Sequence, residues 1–412
     1  MVVSEKMYEL GSKRSAIREL FEYGKQRAAV VGAENVYDFS IGNPSIPAPD
    51  CVNETIRELT EQLDSLSLHG YTSAQGDART RAAIAEYLNK EHGTAFSEDN
   101  FYITMGAAAS LSICFKALTC SSEDEFIIIA PFFPEYKVFI EAAGAVPVIV
   151  PADTEEFQIR FDELEKRINP HTKGIVINSP NNPSGAIYSE ETIRTLAELL
   201  NRKQEEYHTQ IFLLADEPYR EIAYDTKVPF VTKYYANTLV CYSYSKSLSL
   251  PGERIGWVLV PDEVCDSRIV YAACAGAGRA LGYVCAPSLM QKMLVSCIGQ
   301  TGDIDAYRAN RDLIYEGLTR IGYHCHKPQG AFYLFVQALE EDADAFCEKA
   351  KEEDLLIVSA NGFGCPGWVR ISYCVDGDMI KRSLLAFERL YRRYKENAEE
   401  ISSNTNKGNR NK

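Results

Sequence analysis

Short, wholly apolar runs alternate with longer stretches in which apolar residues recur every three or four positions through the middle of the chain. The runs at 126–130, 174–178, 211–215 and 238–242 lack the in-and-out alternation of a half-exposed strand. They predict strands buried on both faces, and the segments between them predict helices, which is the pattern of a mostly parallel sheet wrapped by helices. Ahead of this region, residues 12–31 carry a helical period and Val36-Tyr-Asp-Phe-Ser40 reads as a short strand. Ile41-Gly-Asn-Pro44 then breaks the chain. After residue 280 the order changes to a long helical stretch, the apolar run Gly330-Ala-Phe-Tyr-Leu-Phe-Val336, a helix near 342–352, further strands and a helix to about 397. The prediction is an α/β protein with a large domain at 46–280 and a smaller α+β domain at 281–396. Residues 1–45 are expected to join the small domain. The Asn-, Ser- and Lys-rich tail at 397–412 has little to bury and is expected to be disordered.

Composition narrows the function more than the fold. With 412 residues the chain has room for two cores, and 46% hydrophobic with 25% charged residues is the balance of a soluble globular protein. The 58 acidic residues outnumber the 43 basic ones, a net charge of −15 that argues against nucleic-acid binding. No apolar run approaches membrane-spanning length and Met1-Val-Val-Ser-Glu-Lys is not a signal peptide, so neither a membrane nor export is expected. The 12 cysteines are scattered without a Cys-x-x-Cys pair, which predicts free thiols in the cytoplasm. His324-Cys325-His326 has no second ligand pair at metal-site spacing and reads as a surface turn, so no metal is expected.

The chemically suggestive residues fall just beyond the apolar runs, where ligands bind in open α/β sheets. Asn182 follows the second run, Asp216 the third and Lys246 the fourth. In Ser243-Tyr-Ser-Lys246 the lysine stands among hydroxyls, with Arg254 eight residues on. An amine that forms a Schiff base with a phosphorylated aldehyde needs such company, because nearby donors must hold the phosphate. Thr104-Met-Gly106-Ala107-Ala108-Ala-Ser110 reads as a strand, a tight turn and a helix start whose free amides can cradle an anion. Asn178-Ser-Pro-Asn-Asn182-Pro-Ser-Gly185 is a strand end and a turn set by Pro and Gly. A carboxylate as deep as Asp216 needs a cationic partner, and a protonated pyridine nitrogen qualifies. Arg370, inside the apolar segment Trp368-Val-Arg370-Ile-Ser372, is costly to bury without an anion.

Taken in order, these four segments resemble the class I/II aminotransferases, pyridoxal-phosphate enzymes of fold type I, over roughly residues 12–395. The resemblance implies a seven-stranded-type sheet and a small domain built from both chain ends. It implies pyridoxal 5'-phosphate bound to Lys246, with Asp216 on the pyridine nitrogen and Asn182 and Tyr219 on the ring oxygen. Gly106, the amides of Ala107 and Ala108, Ser243, Ser245 and Arg254 match the phosphate site. Phe133 matches an aromatic stacked on the ring, and Tyr71 matches a tyrosine that reaches the neighbouring subunit's phosphate, which implies a homodimer with shared active sites. Gly42, Asn182 and Arg370 match contacts to the substrate, Arg370 gripping its α-carboxylate. The turn at Gly106 departs from many relatives in offering no side-chain hydroxyl or amide to the phosphate.

The implied reaction moves an amino group between an L-amino acid and a 2-oxo acid by ping-pong chemistry, with Lys246 as general base and acid. The same scaffold also supports β-elimination, so a lyase of the C–S type is the alternative. A penicillin-binding reading of Ser243-x-x-Lys246 fails, since neither Ser-Asp-Asn nor Lys-Thr-Gly occurs. A pure binding module would have no use for the lysine. Gly276-Ala-Gly-Arg-Ala-Leu-Gly282 has no preceding strand for a dinucleotide loop and reads as helix packing. Arg279 is the candidate cation for a second substrate carboxylate, while Tyr8, Phe39 and Phe363 are candidates to line an apolar pocket.

Overall fold

A computed structural model describes residues 2–12 and 16–408. The chain divides into two compact units, one of Met1–Ser45, Asp305–Pro328 and Phe332–Lys412, the other of Ile46–Ile304 and Gln329–Ala331. Strand β1 (Tyr37–Asp38) belongs to the first. The second holds β2 (Phe101–Thr104), β3 (Glu125–Ile129), β4 (Val146–Val150), β5 (Thr172–Asn178), β6 (Phe212–Asp216), β7 (Thr238–Ser243) and β8 (Gly256–Leu259) in one sheet of order β2-β8-β7-β6-β5-β3-β4. Every pairing is parallel except those of β8, which runs antiparallel to β7 and β2. The mostly parallel seven-stranded sheet expected above is therefore present.

The apolar runs lack alternation because the sheet is covered twice. Ile127, Ile175, Leu213 and Val240 join one buried cluster, and their chain neighbours Ile128, Val176, Leu214 and Leu239 join another on the opposite face. Gly278, in the helix Ser267–Ala280, approaches Tyr102 so closely that an added Cβ would lie 2.3 Å from its hydroxyl. Of the glycines read as helix packing, Gly278 makes such a contact, while Gly276 and Gly282 have nothing within 4 Å of an added Cβ. The helix Ser288–Cys297 buries Met290, Met293 and Leu294 in the first cluster, and this unit runs to Ile304, whereas the change of pattern had put the boundary near 280.

The other unit, built from both chain ends, has a four-stranded antiparallel sheet of order β12-β13-β10-β9. Its strands are β9 (Cys325–His326), β10 (Tyr333–Gln337), β12 (Val358–Ser359) and β13 (Trp368–Ser372). A separate two-stranded ladder pairs β1 with β11 (Leu355–Leu356) in parallel. Three expectations change here. The His324-Cys325-His326 segment is an edge strand against β10 and not a surface turn. Phe39, a candidate to line an apolar pocket, is fully buried with its ring 6.0 Å from that of Phe387, so it belongs to the core. The final helix, Gly377–Gly408, continues past Asn397 where a disordered tail was expected, and 409–412 lie outside the described residues. Residues 13–15 of the predicted helix at 12–31 also lie outside them, and the described helix is Ala16–Val31.

Candidate active site

At the carboxyl edge of the large sheet, β5, β6 and β7 lie side by side. Asn178 pairs across from Asp216, and Asp216 across from Cys241. Each strand turns polar on its last residue, so Asn178, Asp216 and Ser243 mark one edge of the sheet. Beyond β7 the chain enters a short helix, Tyr244–Ser247, capped by the Ser243 side chain, which places Lys246 half-buried within a turn of the strand end.

The anion cradle forms where β2 meets the helix Ala107–Leu118. Its cap, Gly106, has φ +87° and no side-chain hydrogen bond, so the first amides of the helix are left without a capping side chain. A Cβ on Gly106 would lie 2.9 Å from Arg254 Nη2 and 3.4 Å from Ser243 Oγ. Gly256 is equally confined, since its added Cβ would come within 2.9 Å of Gly106 Cα. Arg254 Nη1 donates to Ser245 Oγ at 3.3 Å and to the Pro251 carbonyl at 2.9 Å, and the hydroxyls of Ser243 and Ser245 are 2.8 Å apart. Gly106, Ala107, Ser243, Ser245 and Arg254, separated by up to some 150 positions in sequence, thus surround one small space beside a positive helix end. Arg254 itself is exposed, so the cradle is open to solvent.

The neighbouring carboxylate is sealed. Asp216 is 5% exposed; its Oδ2 accepts a hydrogen bond from the Tyr136 hydroxyl, and its buried Oδ1 has no partner among the described residues. Burial pushes its pKa up to about 7, the charge of Glu217 adds to the rise, and the Tyr136 bond opposes it. Glu217 next to it is also buried, but Arg220 Nε holds it at 2.6 Å. Of two adjacent buried carboxylates, one has its cation and the other has none among the described residues. Asn178 Nδ2 donates to the Asp216 carbonyl at 2.8 Å while Asn178 Oδ1 accepts from the Asn182 amide at 2.7 Å, so the Asn182 turn is fastened to the strand end that carries the carboxylate. Asn181 Nδ2 reaches the Pro131 carbonyl at 3.2 Å and ties the same turn to the segment leading to Phe133. The half-buried Phe133 ring meets Tyr136 edge-on, 5.7 Å between centroids. Tyr219 is buried just after β6.

Tyr71 follows the helix Ser65–His69 and is 95% exposed, and Arg279 is exposed near the end of its helix. In the unit of the chain ends, Arg370 is 2% exposed on β13. Its Nη2 donates to the Ser40 carbonyl at 2.6 Å, and its guanidinium lies between the rings of Tyr333 (4.7 Å) and Phe363 (5.0 Å). Gly42 backs onto the same Tyr333, whose hydroxyl an added Cβ would overlap at 2.1 Å. Phe363 is therefore a wall of the arginine's slot, and Tyr8, on the helix Glu5–Ser12, is 58% exposed. Sequence reasoning did not assign Tyr136, Asn178 or Asn181. For Tyr136 a signal existed: it stands three positions after Phe133, on the first turn of the helix Glu135–Ala143.

These features fit pyridoxal 5'-phosphate on two counts: an orphaned carboxylate oxygen that needs a cationic N–H, and a glycine-lined cradle of donors that needs an anion. The family model for aminotransferase class I and II matches residues 34–387, and the chain belongs to that family. It is 30% identical to a probable aspartate/prephenate aminotransferase of Aquifex aeolicus, over 89% of this chain and 92% of that one. Among solved structures, an amino transferase from Eubacterium rectale has 74% identity and a TM-score of 0.95, covering 96% of this chain and 99% of that one. The Thermus thermophilus aspartate aminotransferase with maleate has 25% identity and a TM-score of 0.81, covering 92% and 97%. These relatives carry aminotransferase names, and nothing in them favours the lyase weighed from the sequence.

Proposed function

We propose that this aminotransferase works with pyridoxal 5'-phosphate attached at Lys246, passing the amino group of an L-amino acid to a 2-oxo acid in two half-reactions. The observation that carries this reading is Asp216, a buried carboxylate with one oxygen unpartnered, on the strand beside the one that leads to Lys246. Once bound, the coenzyme supplies an electron sink for the substrate's Cα electrons. Lys246 Nζ takes the proton from Cα and returns one on the other side of the reaction. Asp216 keeps a proton at the pyridine nitrogen. Asn182 and Tyr219 bond the ring oxygen, and Phe133 covers the ring. Gly106, the amides of Ala107 and Ala108, Ser243, Ser245 and Arg254 hold the phosphate. In the substrate's half of the task, Arg370 pairs with the α-carboxylate, its plane set by Tyr333 and Phe363, with Gly42 and Asn182 as further contacts.

A homodimer in which Tyr71 serves the neighbouring subunit accompanies this reading. Its support is an exposed apolar cluster: Leu66 and Tyr71 are 86% and 95% exposed and Val284 54%, and the Cys285 thiol lies 3.5 Å from the Thr72 carbonyl, joining the two segments. All 12 cysteines are free, in keeping with a reducing cytoplasm, and among the described residues no helix is long and apolar enough to cross a membrane. Among the substrates named for the relatives, aspartate requires a cation for its second carboxylate, for which Arg279 is the candidate. The test is a spectral screen of amino acids against the coenzyme-loaded protein with product analysis. A 2-oxo acid formed in step with the aminated coenzyme supports transamination, and ammonia with pyruvate would sink it. Aspartate turnover that survives Arg279→Ala removes Arg279 from the site.

A further inference from the structure

Tyr136 carries an inference that rests on the coenzyme reading and deepens it. Its side chain is 1% exposed, and its hydroxyl is bonded to Asp216 Oδ2. The phenol is held as a neutral donor: burial first, and then the nearby charge of Asp216, push its pKa well up. A neutral O–H donating to Oδ2 disfavours a proton on that oxygen, because protonating it would cost this bond and force the phenol to turn and accept instead. The carboxyl group's exchangeable proton is left with Oδ1, the oxygen without a partner. The other ionisable groups around the pair do not replace this role. Glu217 is taken by Arg220, Cys241 across the sheet is a thiol whose pKa burial raises, and Tyr219 lies beyond the strand end.

We propose that Tyr136 is a positioning residue for the coenzyme. By occupying Asp216 Oδ2 as a donor, it keeps the carboxylate turned and ionised so that Oδ1 alone shares a proton with the pyridine nitrogen. Because Phe133 and Tyr136 stand on one turn and touch edge-on, the same segment also couples the face of the ring to its nitrogen. The role is one of geometry and charge, and Tyr136 need not touch the substrate.

A double-mutant cycle tests it. Tyr136→Phe, Asp216→Asn and the double variant are freed of coenzyme, checked for folding by thermal unfolding, and titrated with pyridoxal 5'-phosphate; kcat and amino-acid KM are measured alongside. Tyr136→Phe should weaken coenzyme binding on the order of tenfold, as loss of a hydrogen bond to a charged group does. It should lower kcat with little change in KM, since the substrate carboxylate is held elsewhere. In the Asp216→Asn background the same substitution should change coenzyme binding by less than about twofold. Equal losses in both backgrounds, or none in the wild type, would overturn the proposal. Failure of the wild-type protein itself to take up coenzyme would instead sink the coenzyme reading, so the two are distinguishable.

Discussion

The two ends of the proposed coenzyme site are built in opposite ways. At the phosphate end the side-chain donors already have partners: Arg254 Nη1 bonds Ser245 and a carbonyl, the two serine hydroxyls bond each other, and the arginine faces solvent. At the ring end Asp216 is buried with one oxygen of its carboxylate unpartnered among the described residues. The first end is an open, preformed receptacle in which an anion replaces bonds that already exist, so each contact is worth modest net energy. The second is unfavourable until a cation fills it, because a buried charge without a partner carries its full desolvation penalty. Affinity therefore comes from many small terms at one end and from the relief of one large term at the other.

The largest effect expected from this contrast is on the coenzyme-free protein. The pKa of Asp216 is about 7 when folded, against an ordinary 3.8, so the folded state binds its proton more tightly than the unfolded chain. Stability falls as pH rises from about 4 to about 7 and then levels off, a loss of ~4 kcal/mol from this group. Thermal unfolding across that range should show the slope in the wild type, less of it in Asp216→Asn, and less of it when coenzyme is bound. Identical slopes in all three would erase the contrast. At the other end, Arg254→Ala should weaken coenzyme binding by roughly 10- to 100-fold through loss of charge-assisted bonds, without a comparable change in stability because Arg254 is exposed. A smaller change is expected of Gly106→Ala. A residue other than glycine at φ +87°, with its Cβ 2.9 Å from Arg254 Nη2, should lower stability by ~1–2 kcal/mol and push the guanidinium aside. Coenzyme titration and thermal unfolding of that variant sharpen the comparison, since the cradle alone is disturbed.

What the sequence made legible follows from short-range physics. The apolar runs became β3, β5, β6 and β7 nearly residue for residue, because strands covered on both faces must be apolar throughout. The placement of Lys246, Asp216 and Asn182 at or just past strand ends was legible because the apolar runs that precede them mark where those strands stop. Tyr136 was not, since an aromatic in the apolar helix Glu135–Ala143 looks like core, and its partner lies 80 positions away. The helix Ser288–Cys297 was allotted to the wrong side of a boundary for the same reason: its apolar face does not say which core it joins. Arg370 was visible as an oddity, but the aromatic slot and the Ser40 carbonyl around it are contacts made only by the fold.

The central claim is a covalent attachment, and one variant tests it most directly. Purified wild-type protein mixed with pyridoxal 5'-phosphate should develop a visible absorption band that borohydride reduction fixes to the peptide containing Lys246. The Lys246→Ala protein, folded and still able to bind the coenzyme through its cradle and Asp216, should show neither the band nor turnover. A Lys246→Ala protein that kept both, or a label found on another lysine, would contradict the account.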